Sequence, residues 1–263
     1  MKTKSRIGGM AAILALGFAL FAAEGAGAQE LRVMTSGAFS AAFRELVPEF
    51  ERVTRNKIVT INGASMGDGP TTIPSRLERG EAADVVILAD AALAELIKRG
   101  KVVPDSRVDL VRSSIGMAVR AGTPKPDISS IEALKRTLLL AKSIAYSSSA
   151  SGAYLSRELF QRLGLADQVL GKSTEIKTEP VGAVVARGEA EIGFQQISEL
   201  LPVAGIDLVG PLPPGAQRVT VFSAGIVVGA KRPDAARELI RFFGSASSAA
   251  IIRRTGLEPL TAP

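Results

Sequence analysis

The chain has 263 residues and a formal charge of +6, with no histidine, no cysteine and two tyrosines. Disulfides and thiolate metal sites are excluded, the usual general base of Ser and Cys hydrolases is missing, and a sugar site built on stacked aromatic rings is disfavoured. Basic residues alternate with acidic ones, as in Glu78-Arg79 and Arg237-Glu238, so no cluster offers the footprint of a nucleic-acid binder.

In chain order, Lys2, Lys4 and Arg6 precede an apolar stretch over residues 7–23, and Ala26-Gly27-Ala28 supplies a small-x-small pattern. The combination predicts a cleavable signal peptide over 1–28 and a protein working in a bacterial periplasm. The apolar stretch is broken by glycines and ends at Glu24, so a permanent membrane span is the weaker reading. The mature chain would carry a charge of about +4 once the three signal cations and Glu24 are gone. Its length suits two modest lobes.

A strand over 31–34 leads through Thr35-Ser36-Gly37-Ala38 into a helix capped by Ser40, with Phe43, Leu46, Val47 and Phe50 at 3–4 spacing. A second strand over 57–61 ends in a glycine-rich loop, and Thr71 or Thr72 opens a short helix. A third strand over 84–88 and a helix over 93–99 follow. The pattern restarts with strands over 115–120, 143–146, 172–177 and 191–194 and helices over 131–138, 154–163 and 181–187. A β-rich run over 219–228 and helices over 233–243 and 247–254 close the chain. This alternation predicts a two-lobed α/β fold, each lobe a mostly parallel sheet flanked by helices. The lobes are assigned to 29–113 with 224–263 and to 114–223, with 115–120 and 219–228 as crossing hinge strands.

Three turns combine a strand end, small residues and a helix start: Ser36-Gly37-Ala38, Ala64-Ser65-Met66-Gly67 and Ser149-Ala150-Ser151-Gly152. Unpaired amides at a helix start favour an anion, hydroxyls add donors, and small residues let the backbone approach closely. If the turns sit at the carboxyl ends of strands they share one cleft. Tyr154 reads as core packing, Asp84 as a tie to a neighbouring amide, and Arg76 and Arg187 as cations late in helices.

The order of these strings resembles the periplasmic molybdate-binding proteins of ABC importers, of the type II solute-binding fold. The likeness runs through R-L-E-R-G-E-A-A-D-V-V-I-L (76–88), Ser151-Gly152-Ala153-Tyr154, A-R-G-E-A-E-I-G-F (186–194) and Arg253-Arg254-Thr255-Gly256-Leu257. The resemblance implies two hinged lobes closing over a small anion. It places ligand contacts at Ala38, with Ser36 two residues before it, at Ser65, at the Ser151 amide and at the Val181 amide; Gly152, beside Ser151 at the same helix start, is a further candidate from the turn itself. Gln196 stands where the family has a tyrosine, and residues 66–70 form an insertion.

The resulting expectation is a monomeric binder of molybdate or tungstate, partnered by an inner-membrane ABC permease. It has no cofactor, no catalytic residue, no metal beyond the oxyanion and no nucleic-acid partner. The altered positions 38 and 196 and the longer loop keep an organic carboxylate open as the alternative ligand. A secreted serine enzyme using Ser149 or Ser151, with Lys142 or Lys172 as base, is the distant alternative.

Overall fold

The computed structural model describes residues 30–260, so the expected signal peptide lies outside the described residues. Strand β1 (Glu30–Thr35) opens a six-stranded sheet with β2 (Lys57–Asn62), β3 (Val85–Ala89), β4 (Val108–Ser113), β10 (Thr220–Ile226) and β11 (Glu258–Pro259), in the order β11-β4-β10-β3-β1-β2. A five-stranded sheet is built from β5 (Ile115–Arg120), β6 (Ile144–Ser147), β7 (Ser173–Ile176), β8 (Ile192–Gln196) and β9 (Ile206–Pro211), in the order β7-β6-β8-β5-β9. The helices are α1 (Gly37–Thr54), α2 (Ile73–Glu78), α3 (Asp90–Lys98), α4 (Ile131–Leu140), α5 (Ala150–Tyr154), α6 (Phe160–Arg162), α7 (Ala166–Leu170), α8 (Val181–Ala186), α9 (Ile197–Leu200), α10 (Pro233–Phe243) and α11 (Ala246–Arg254). A π-helical turn over Leu155–Leu159 joins α5 to α6.

The two-lobed α/β architecture follows the sequence pattern, with one correction to the pairing. Parallel pairs are confined to β1 with β2 and β3, and to β6 with β7 and β8. β10 and β5 return antiparallel to their neighbours, so both sheets are mixed rather than mostly parallel. Strand β4 escaped the sequence reading because Asp109 and Arg112 face solvent and make it look like a surface loop.

α1 buries Phe39, Phe43, Leu46 and Phe50 against the first sheet. It starts at Gly37, three residues before the Ser40 cap expected from sequence. Phe243 of α10 meets Phe39 and Phe43 with ring centroids 5.4 and 5.5 Å apart, which ties the end of the chain to its beginning. A separate core built on Leu155, Leu159, Phe160 and Phe194 supports the second sheet, and Tyr154 is buried within it.

The chain passes from the first sheet to the second at Ser114, between β4 and β5, and returns between β9 and β10. Thr220 to Ser223 pair with β3 and β4, so they belong to the first sheet rather than to lobe 2 as first assigned. Gln217 staples the two crossings. Its Oε1 accepts from the Ile115 N–H at 2.9 Å, and its Nε2 donates to the Ile115 carbonyl at 2.9 Å. The return segment is pinned further by Tyr154, whose hydroxyl donates to the Ala216 carbonyl at 2.8 Å. Arg218 lies 4.3 Å from the Tyr154 ring centroid while holding Glu158.

Candidate functional site

The carboxyl ends of β1 and β2 face those of β6, β7 and β8 across a cleft of about 400 Å³. The first sheet contributes Ser36, Gly37, Ala38, Ser40, Asn62, Gly63 and Ala64, with Thr71 and Arg76 from the following loop and α2. The second contributes residues 147–151 and 176–180, then Gln195, Gln196 and Glu199. Ligands of open α/β sheets bind at this position.

On the first wall, β1 runs into α1 with no break beyond Ser36. The Ser36 N–H donates to the Ile87 carbonyl at 2.8 Å, but its buried hydroxyl has no partner and caps nothing. Gly37 and Ala38 open the helix, where first-turn amides have no intrahelical acceptor. Ser40 Oγ donates back to the Ser36 carbonyl at 3.0 Å.

On the second wall, the hydroxyls of Ser147 and Ser151 bond each other at 3.0 Å. Gly152 permits this fold-back, since a Cβ there would fall on the Ser147 carbonyl. Gln195 Oε1 accepts from the Val181 N–H and its Nε2 donates to Glu199 Oε1, both at 2.9 Å. Gln196 Nε2 reaches Thr220 Oγ1 at 3.4 Å, while its buried Oε1 has no partner.

Of the seven expected contact residues, Ser36, Ala38, Ser151 and Gln196 line the cleft. Ser65, Gly152 and Val181 do not. Fully buried Ser65 accepts from the Ala89 N–H at 3.0 Å, and the Val181 amide is already taken by Gln195. Asp84 ties down amides on both sides, accepting from the N–H groups of Arg32 and Lys231. For a serine enzyme, neither proposed lysine lines the cleft: Lys172 donates to the Leu139 carbonyl, and Lys142 lines a separate crevice with Ser143 and Glu191.

The sequence reading missed Glu199. It sits on α9, four residues after Gln195, and its carboxylate rests against Gly37 at the start of α1. A Cβ on Gly37 would fall on that carboxylate, so a larger residue there would push the end of the Glu199 side chain aside. Burial raises the Glu199 carboxyl from its ordinary 4.5 to about 7, against the lowering effect of the Gln195 hydrogen bond. The other charged groups at the cleft have partners: Arg76 holds Glu81, Glu179 holds Arg187, and exposed Lys177 approaches Glu175. Among the described residues, no group of three or more His, Cys, Asp or Glu side chains could hold a metal ion.

Residues 31–258 match the model of the bacterial extracellular solute-binding proteins. The chain belongs to that family. Within it, the fold is shared with the periplasmic molybdate-binding protein of Azotobacter vinelandii, at a TM-score of 0.69 and 21% identity over 86% of this chain and 98% of the other. A molybdate-binding protein ModA of Azotobacter vinelandii is 28% identical over 72% of each chain.

A third relative changes the functional picture. An aconitate isomerase of a Pseudomonas species is 50% identical over 88% of both chains. The expectation that this chain is not an enzyme is therefore overturned, because a relative sharing half of the aligned residues carries an enzyme's name; the solute-binding family assignment stands. Nothing in the composition signalled this. Missing histidine and cysteine argue against hydrolysis but not against proton transfer by a carboxyl group.

Proposed function

We propose that this solute-binding module is an isomerase of aconitate, an unsaturated tricarboxylate, acting in the cleft between its two sheets. The observation that carries the reading is the relative 50% identical over 88% of both chains and named aconitate isomerase. The cleft agrees with it. At about 400 Å³ it has the size of sites for small organic molecules, whereas a bare tetrahedral oxyanion would leave most of it to water.

Its donors suit carboxylates. The Gly37 and Ala38 amides point from the positive end of an 18-residue helix, and the unpartnered Ser36 hydroxyl lies beside them. A half-turn of the Gln196 amide would let Oε1 accept from Thr220 and turn its NH₂ to the side that now lacks a partner. Each neutral hydrogen bond to a carboxylate contributes roughly 1.5–3 kcal/mol. Closure of the two lobes at the Gln217 staple would bring both walls onto the ligand. The organic carboxylate thus replaces molybdate as the preferred ligand, while the family's architecture is kept.

The test is to incubate the purified chain with trans-aconitate and follow the cis isomer by proton NMR, with calorimetric titrations of molybdate, tungstate and sulfate alongside. Interconversion far above the uncatalysed rate is expected. No turnover together with heat from molybdate alone would return the protein to oxyanion capture.

A further inference from the structure

Resting on the isomerase reading, we infer that Glu199 is the group that moves the proton, and that Gln195 and the start of α1 hold it in place for that task. Aconitate interconverts without gain or loss of atoms if one proton leaves the methylene carbon and one returns to the carbon at the other end of the allylic system. In the first half, the C–H bond breaks, the proton goes to a carboxylate oxygen, and the electron pair spreads over the three-carbon unit and its flanking carboxylates. In the second half, the same carboxyl group gives its proton to the former vinyl carbon, and the double bond lies one position along. The former single bond is now double, and the rotamer in which the substrate was held sets the geometry of the product. No oxidant, reductant or co-reactant enters.

Among the described residues lining the cleft, one group has the required properties. Glu199 reaches the cleft from α9, which follows β8 directly, so the second sheet fixes its backbone. Gln195 Nε2 holds one oxygen at 2.9 Å, and the same amide is anchored by the Val181 N–H, which fixes its orientation. Across the cleft the carboxylate abuts Gly37.

The surrounding elements add no competing base. The first turn of α1 offers only backbone and Ser40, and neither β8 nor α8 carries an ionisable side chain. On β5, Arg120 stands at the end away from Ile115, the partner of Gln196. Arg76, Lys177 and Glu179 reach the cleft but face Glu81, Glu175 and Arg187. A carboxyl held near 7 is divided about evenly between base and acid at neutral pH, as a group that must both take and return a proton requires.

The test compares wild type, Glu199→Gln, Glu199→Asp and Gly37→Ala by proton NMR of trans-aconitate in D₂O, with affinities from titration. Glu199→Gln is expected to lose isomerisation and deuterium entry into the methylene by about 100-fold or more, with Kd changed only a few-fold. The acid limb of the wild-type kcat profile should lie near pH 7 and shift in Glu199→Asp, which a purely structural residue would not produce. Gly37→Ala displaces the carboxylate without altering it and should lower kcat about tenfold. That variant decides the matter if Glu199→Gln does not fold. Wild-type turnover with undiminished activity in Glu199→Gln, or in Gly37→Ala where the former is unfolded, overturns the residue assignment and leaves the isomerase reading standing. A wild type without turnover overturns both.

Discussion

The turn from Ser36 to Ala38 and the turn from Ser147 to Ser151 start from almost the same recipe. Each ends a parallel strand, consists of small and hydroxylated residues, opens a helix and faces the same cleft. Their states differ. Ser147 and Ser151 bond each other, and Gly152 folds the helix back so closely that the turn closes on itself. Ser36 is equally buried, yet its hydroxyl has no partner, and the long α1 stands behind it. The Ser147–Ser151 pair uses one hydroxyl proton within its own wall, whereas the Ser36 hydroxyl is without a partner; the first-turn amides of both helices lack intrahelical acceptors. The Glu199 carboxylate lies where the walls meet, supplied by the closed serine-paired wall and pressed against the open one.

This contrast can be sharpened or broken by substitution. The largest effect belongs to the seam. The raised Glu199 pKa means that its contribution to stability is fully present below 4.5 and is lost as pH rises through about 7. Glu199→Gln should therefore gain up to about 3 kcal/mol on wild type between pH 4 and pH 8, read from denaturant unfolding at the two pH values. Next comes the open wall. Ser36→Ala should weaken aconitate binding about thirtyfold, or about 2 kcal/mol, with little change in unfolding free energy. Ser65→Ala should do the opposite, costing about 1 kcal/mol of stability through the orphaned Ala89 amide while leaving Kd unchanged. The smallest effect is expected on the closed wall. Ser151→Ala should change Kd by no more than about threefold, because its hydroxyl already has Ser147. Equal losses at Ser36 and Ser151 would erase the distinction between the walls.

The sequence was legible wherever a long periodic pattern met its own boundary. The helix expected over 233–243 is α10, and the strand expected over 115–120 is β5. Tyr154 and Asp84 took the packing and tethering roles their neighbours suggested. Short elements were not legible. α9 is four residues long, too brief for helical periodicity, and it carries Glu199. Its glutamate reads as one more surface acid until the tertiary fold brings it against Gly37. Ser65 shows the converse error. A serine in a glycine-rich loop has the composition of a binding turn, but an amide 24 residues further along captures its hydroxyl. The enzyme name carried by the relative lay beyond composition altogether, since absent histidine and cysteine leave no familiar catalytic motif to read.

The placement of β10 has a temporal consequence. It lies between β3 and β4, so the first sheet cannot be completed until residues 220–226 are available, whereas every strand of the second falls within 115–211. As the polypeptide emerges from a ribosome or a pore, the lobe of the second sheet has all its strands first, and the lobe of the first sheet waits half-built for its missing central strand. Contacts so distant in sequence are slow to form, and unpaired edges exposed meanwhile invite aggregation. The rate of maturation should accordingly be set by the return of about the last sixth of the chain.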